Sequence, residues 1–196
     1  MSQPDGDDPL TEQTLDSRLA FEGTFLRLYV DTVKSADGHI ATREFLRHPG
    51  AVMIIPLLSD GQVILERQFR YPLRRSMIEF PAGKIDAGET ALSCAKRELT
   101  EETGYQAARW SYLGALHNAI GYCDEKIDMF LAEELVHEGA ALDAGETLEV
   151  FAQPWQQLLL WVRDGTVTDA KTMLGVMWLE KVLAGEWQRQ QVDSVC

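Results

Sequence analysis

Apolar positions in this chain fall mostly in short runs divided by turn-forming residues, the pattern of many strands and few helices. Phe21 to Lys34, carrying Phe25, Leu26, Leu28, Tyr29, Val30 and Val33, reads as one strand. Ala36-Asp37-Gly38 turns the chain, and Ile40 to Arg47 returns as its hairpin partner. Ala51 to Leu58 is almost unbroken apolar sequence, as expected of a central strand covered on both faces, and Ser59-Asp60-Gly61 turns it into Gln62 to Arg67. Ser76 to Phe80, Trp110 to Leu116, Lys126 to Ala132 and Leu148 to Ala152 complete the strand-like segments. Helical spacing appears in Ala91, Leu92, Ala95 and Leu99, again from Pro154 through Trp161 to a stop near Gly165, and last through Met173, Leu174, Met177, Trp178, Leu179 and Val182. Thr90 is placed to cap the first of these helices, Pro154 suits the first turn of the second, and Thr168 or Asp169 can cap the third. Strands and helices so mixed predict a sheet with helices on both sides.

Composition narrows this picture. A chain of 196 residues with 45% apolar content suits a globular protein with a full core. The segment 1–16 is polar and acidic and reads as a loose tail, leaving a β-unit over 17–48 and the main domain over 49–196. A formal charge of −13 and a pI near 4.7 argue against a nucleic-acid or anionic-membrane surface, which demands a basic footprint. Cys94, Cys123 and Cys196 are widely spaced and without metal-ligand spacing, and there is neither a signal-peptide pattern nor a membrane-length apolar run. A cytoplasmic location is the expectation. The late tryptophans Trp155, Trp161, Trp178 and Trp187 lie at helical spacing and read as packing residues rather than as a base-stacking platform.

The chemistry concentrates between Gly83 and Tyr105. Gly83, Glu89, Arg97, Glu98, Glu101, Glu102 and Gly104 stand at fixed intervals around a helix that begins near Thr90 and ends at Gly104. Seven such identities, together with apolar Leu99 and Tyr105, arise by chance on the order of 10⁻⁷ per chain of this length if each of the seven occupies about one position in fifteen. On that helix Leu92, Ala95 and Leu99 form the buried stripe, and Glu98, Glu101 and Glu102 gather on the adjoining face. Like charges at these spacings cost roughly 0.2–0.5 kcal/mol per pair, with Arg97 the obvious local cation, so a further positive charge is called for. Hard divalent ions take carboxylate and carbonyl oxygens. The plain alternative is a solvated acidic helix face, and it leaves the full spacing unexplained.

The segment resembles the Nudix box, Gly-x5-Glu-x7-Arg-Glu-U-x-Glu-Glu-x-Gly-U with U a bulky apolar residue, at every fixed position. The resemblance implies a Nudix-type α/β/α sandwich with a mixed β-sheet, here carrying an N-terminal β-hairpin extension. It also implies a hydrolase of nucleoside diphosphates linked to another moiety, dependent on Mg2+ with Mn2+ as a substitute. Glu98 and Glu102, one turn apart, are then the principal metal ligands, Glu101 contributes directly or through water, and the backbone carbonyl of Ala82 adds an oxygen. Glu89 and Arg97 are expected to orient these groups rather than to react.

The flanks Arg67-Gln68-Phe69-Arg70-Tyr71, Glu79-Phe80-Pro81-Ala82-Gly83-Lys84 and Thr168-Asp169-Ala170-Lys171-Thr172 resemble the ADP-ribose pyrophosphatase branch of that superfamily, over roughly residues 20 to 185. The branch implies a late-loop glutamate acting as general base or extra ligand, for which Glu146 is the choice and Glu149 the runner-up. Arg67, Arg70 and Glu79 are candidate substrate contacts, because an arginine fork suits a dianionic group. The expected reaction is ADP-ribose to AMP and ribose 5-phosphate. GDP-mannose or a broad set of nucleotide sugars is the alternative substrate, and a nucleotide sensor without turnover the alternative class. A homodimer is expected from the extra N-terminal strands. Ile120, in Ala119-Ile120-Gly121-Tyr122-Cys123-Asp124-Glu125, stands where the branch typically has proline, which predicts a less preorganised loop and a wider choice of terminal sugar.

Overall fold

The computed structural model describes residues 8–139 and 147–192. In chain order the elements are β1 (Gln13–Glu22), β2 (Arg27–Lys34), β3 (Ile40–Arg47), β4 (Ala51–Pro56), β5 (Gln62–Arg70), β6 (Arg75–Glu79), β7 (Ala82–Lys84), α1 (Ala91–Thr103), β8 (Tyr105–Leu116), β9 (Ile127–His137), β10 (Leu148–Pro154), α2 (Trp155–Asp164), α3 (Ala170–Leu183) and β11 (Gln190–Gln191). They divide into two compact units. One runs up to His48 and takes in Ala119–Glu125, and the other comprises Pro49–Asn118 and the chain from Lys126 onward.

The first unit is a three-stranded antiparallel sheet in the order β1-β2-β3. The single strand expected over Phe21 to Lys34 is in fact two. Gly23 N–H donates to the Leu26 carbonyl at 2.8 Å, and this tight turn separates β1 from β2 although Phe25 and Leu26 inside it are apolar. β1 therefore begins at Gln13, within the segment expected to be a tail. The Ala119–Glu125 loop lies along β3. Leu46 N–H donates to the Tyr122 carbonyl at 2.8 Å, Asp124 N–H to the Leu46 carbonyl at 3.2 Å, and the Asp124 carboxylate accepts from His48 N–H at 2.7 Å.

The second unit holds a mixed five-stranded sheet, β11-β8-β9-β4-β7, and a small antiparallel sheet, β10-β5-β6. β4 pairs parallel with β9 and antiparallel with β7, and every residue of β4 is buried. Its two faces sort the core by alternation. Val52 and Ile54 join Cys94, Ala95 and Leu99 of α1 with Trp110 and Phe130 on one side. Met53 and Ile55 join Phe80, Met129, Leu131, Leu158, Val176 and Leu179 on the other, under α2 and α3. The late tryptophans do pack: Trp178 meets Trp187 edge-on at 4.7 Å between centroids, and Trp155 and Trp161 lie against this second cluster.

The helices end where local chemistry predicts. Thr90 Oγ1 accepts from Ser93 N–H at 3.1 Å, Asp169 Oδ2 accepts from Thr172 N–H at 3.0 Å, and Gly104 and Gly165 close α1 and α2 with φ of 73° and 80°. Among the described residues, no helix is long and apolar enough to cross a membrane.

Candidate active site

α1 presents Cys94, Ala95 and Leu99 to the sheet, and this orientation leaves Arg97, Glu98 and Glu101 along its half-exposed side. Arg97 is the hub. Its Nε and Nη2 donate to the two oxygens of Glu89 at 3.1 and 3.0 Å, and its Nη1 donates to Glu98 Oε1 at 2.8 Å and Glu101 Oε2 at 2.9 Å. Nη2 also reaches the Lys84 carbonyl at 3.2 Å, tying α1 to the end of β7. The fork from Arg97 holds Glu89 below the usual carboxylate range, and Glu89 in turn raises Arg97, so each favours the charged form of the other.

Glu98 and Glu102 both turn toward β7. Glu102, 5% exposed, accepts the Ala82 N–H on Oε2 at 3.1 Å. A methyl group built at Gly83 would lie 1.8 Å from Glu98 Oε1, so the carboxylate occupies the space that any other residue would fill. Two carboxylates and the Ala82-Gly83 backbone thus share one small region, and the donors are all hard oxygens of the kind Mg2+ takes. The sequence expectation of three glutamates in one patch is met only in part, because Arg97 draws Glu98 and Glu101 together while Glu102 points deeper. Among the described residues, no three acidic, histidine or cysteine side chains already converge as a metal group. Two carboxylates and backbone oxygen are donors that a divalent ion would take, with water completing its shell.

A second polar cluster lies beside it. Arg70, at the end of β5, forks onto Glu79 at the end of β6, with both contacts at 2.7 Å. Lys171, from the first turn of α3, donates to Glu79 Oε2 and, at 3.0 Å, to Asp169. Burial works against the charged form of Glu79, but Arg70 and Lys171 outweigh it and hold the carboxyl below its ordinary range. Thr172 Oγ1 accepts the Phe80 N–H at 2.9 Å, fastening the strand that leads into Pro81-Ala82.

Opposite Glu79 in the β5–β6 ladder sits Glu66, wholly buried. Its carboxyl lies within hydrogen-bonding reach of Glu102, and burial, aided by the Glu79 charge, pushes it up to about 8. Sequence reasoning missed Glu66 and the part played by Lys171. The available signal was alternation, since Ile64, Glu66, Gln68 and Arg70 share one face of a strand whose Ile64 is core.

The remaining expectations divide. Arg67 pairs with Glu149 across the β5–β10 ladder at 3.1 Å, and both side chains are more than half exposed. Arg67 is therefore apart from the Glu79 cluster. Glu146 lies outside the described residues. Ile120 is 85% exposed, so it does not serve as a packing residue. Its loop takes order from main-chain bonds: Tyr122 and Cys123 N–H both donate to the Ala119 carbonyl, at 3.0 and 2.9 Å, in addition to the bonds to β3.

A mixed sheet between helices, with an acidic helix seated on a glycine loop, defines a Nudix-type protein. The chain belongs to the NUDIX domain family, whose model matches residues 47–174. It is 38% identical over 173 residues to "ADP-ribose pyrophosphatase" of Bacillus subtilis (strain 168), covering 87% of this chain and 94% of that protein. It is 33% identical over 171 residues to "Methanol dehydrogenase activator" of Bacillus methanolicus, covering 86% and 92%. Among solved structures, "Crystal structure of ADP compounds hydrolase" superposes with a TM-score of 0.82 at 24% identity, covering 90% of this chain and 97% of that one. That likeness concerns the fold.

Proposed function

We propose that this chain is a Nudix pyrophosphohydrolase that cleaves the diphosphate of a nucleoside diphosphate sugar, with ADP-ribose as substrate and AMP and ribose 5-phosphate as products. The observation that carries this reading is α1, with Glu98 and Glu102 seated against Ala82-Gly83 and Arg97 forked onto Glu89. The name of the Bacillus subtilis relative, at 38% identity, supports the substrate class. Water is the nucleophile. Its oxygen bonds to one phosphorus while the bond from that phosphorus to the bridging oxygen breaks, and the water's protons leave on the products or to a base.

Glu98, Glu102, Glu101 and the carbonyl of Ala82 hold Mg2+, for which Mn2+ can substitute. A bound ion neutralises phosphate charge and lowers the pKa of its water. Arg97 and Glu89 keep the carboxylates aimed. Arg70 and Glu79 form the adjoining wall for the substrate, with Arg70 the phosphate-facing member. Glu146 is the assigned base, with Glu149 second because its carboxylate is engaged by Arg67. Two chains form the working unit, supported by β1, on which every residue is exposed, among them Leu15, Leu19 and Phe21. The free thiols Cys94 and Cys123 suit a reducing, cytoplasmic setting.

The test is product analysis with Mg2+ across ADP-ribose, ADP-glucose, GDP-mannose and nucleoside triphosphates, repeated with Glu98→Gln and Glu102→Gln. Cleavage of ADP-ribose between the phosphates, lost by two or more orders of magnitude in both variants, is the expected result. Near-normal turnover of both at low Mg2+ would overturn the metal assignment. Binding of ADP-ribose without any product would establish a sensor instead.

A further inference from the structure

Glu66 is a fully buried carboxylate of this corner, with no ion pair among the described residues. It stands directly across the β5–β6 ladder from Glu79, a like-charge pairing that by itself destabilises a sheet. The two local cations engage Glu79: Arg70 places its Nε and Nη2 donors on it, and Lys171 bridges Glu79 and Asp169. Neither oxygen of Glu66 meets an N–H or O–H donor among the described residues. Within its hydrogen-bonding reach lies the Glu102 carboxyl, whose Oε2 takes the Ala82 N–H. Glu66, Glu79 and Glu102 are thus three buried acids in one corner, and both oxygens of Glu66 are without a donor among the described residues. Buried polar groups are almost always satisfied, and one that is not calls for a reason such as a missing ion.

We propose that Glu66 belongs to the cation site, supplying a further carboxylate that engages a divalent ion directly or through one water, alongside Glu102. This rests on the reading of Glu98 and Glu102 as metal ligands and extends that set to a residue of β5, outside the helix and its glycine loop. The assignment accounts for two facts together: the complete burial of Glu66 and its lack of a donor. It also makes a polar side chain out of a β5 position whose neighbours Val63, Ile64 and Leu65 are all core.

The experiment measures Mn2+ binding to the metal-free protein by electron paramagnetic resonance, and thermal melting with and without Mn2+, at one fixed pH. Wild type is compared with Glu66→Gln, Glu66→Met and Glu102→Gln. Glu66→Gln keeps the shape and can still donate a hydrogen bond to Glu102, but it carries no charge. It is expected to weaken Mn2+ binding by about 10- to 100-fold, the range for groups that support a metal site. Its metal-free melting temperature should match or exceed that of wild type, and the Mn2+-induced rise should shrink. Glu66→Met removes the hydrogen bond as well and gives the same readout if the glutamine variant fails to fold. Mn2+ affinity within twofold of wild type in either folded variant would overturn the proposal and leave Glu66 as a proton-sharing prop for Glu102. Failure of wild type itself to bind Mn2+, or of Glu102→Gln to weaken it, would instead overturn the underlying metal reading.

Discussion

At Gly83 the backbone leaves room for a carboxylate and nothing else. A Cβ there would stand 1.8 Å from Glu98 Oε1 and 1.9 Å from its carboxyl carbon, so even alanine forces the side chain away. Gly83→Ala is therefore expected to lower kcat on the order of 10²-fold, the cost of misplacing a catalytic group by about an ångström, while far-UV circular dichroism stays unchanged. Unaltered kcat would mean that the position of Glu98 is immaterial. Gly83 was legible in the sequence as part of a spacing, but the reason for it was not, since only the fold brings the carboxylate over that backbone. Glu66 illustrates the same limit more sharply. Periodicity places it on the inward face of β5, yet which acid it would meet depends on how β5, β6 and α1 come together, and nothing local encodes that. The split among Glu98, Glu101 and Glu102 was equally out of reach, because it follows from the reach of Arg97 into space.

Among the elements, α1 was the most readable because its ends are set by local chemistry. Thr90 closes the first turn through its hydroxyl, and Gly104 adopts the left-handed conformation at the last. Thr90→Ala is expected to cost about 1 kcal/mol. For a domain of this size that corresponds to roughly 2–4 °C in melting temperature. Because Glu98 and Glu102 lie two and three turns further on, kcat should change by less than twofold; a large loss would tie catalysis to the helix N-terminus. β4 was legible for the opposite reason, since burial on both faces removes polar alternation altogether. β1 was hidden: Asp16, Ser17 and Arg18 interrupt its apolar positions, and Phe25 and Leu26 disguise the turn that follows it. The loop from Ala119 to Glu125 likewise draws its order from pairing with β3, which its own residues do not announce. With Ile120 pointing outward, the expected effect of Ile120→Pro on melting temperature is small. Any shift in the ratio of kcat/KM for ADP-ribose and GDP-mannose would then report substrate choice alone, and an unchanged ratio removes the position from selection.

For the whole molecule, the buried pairing of Glu79 with Arg70 and Lys171 makes stability sensitive to acid. Its carboxyl titrates below the ordinary 4.5 when folded, so its contribution is fully present above that value and is lost as pH falls through the depressed one. Urea unfolding of the metal-free protein should show wild type more stable than Glu79→Gln at pH 7, with the gap narrowing below about pH 4.5. A gap independent of pH would remove the ionic part of this pairing. The last expectation concerns assembly. A three-stranded sheet whose first strand is exposed at every residue, with Leu15, Leu19, Phe21 and Ile40 between 40% and 60% exposed, is a weak structure standing alone. A second copy would supply both a cover for that apolar surface and a partner for the edge of β1 left unpaired among the described residues, and two-fold closure is the commonest way for a soluble chain to do so. Light scattering should therefore give twice the chain mass. Leu19→Asp combined with Phe21→Asp should shift the protein to monomer, because burying two carboxylates in that contact opposes association. A wild-type monomer with full turnover would refute the dimer, and a double variant that stays dimeric would move the contact away from β1.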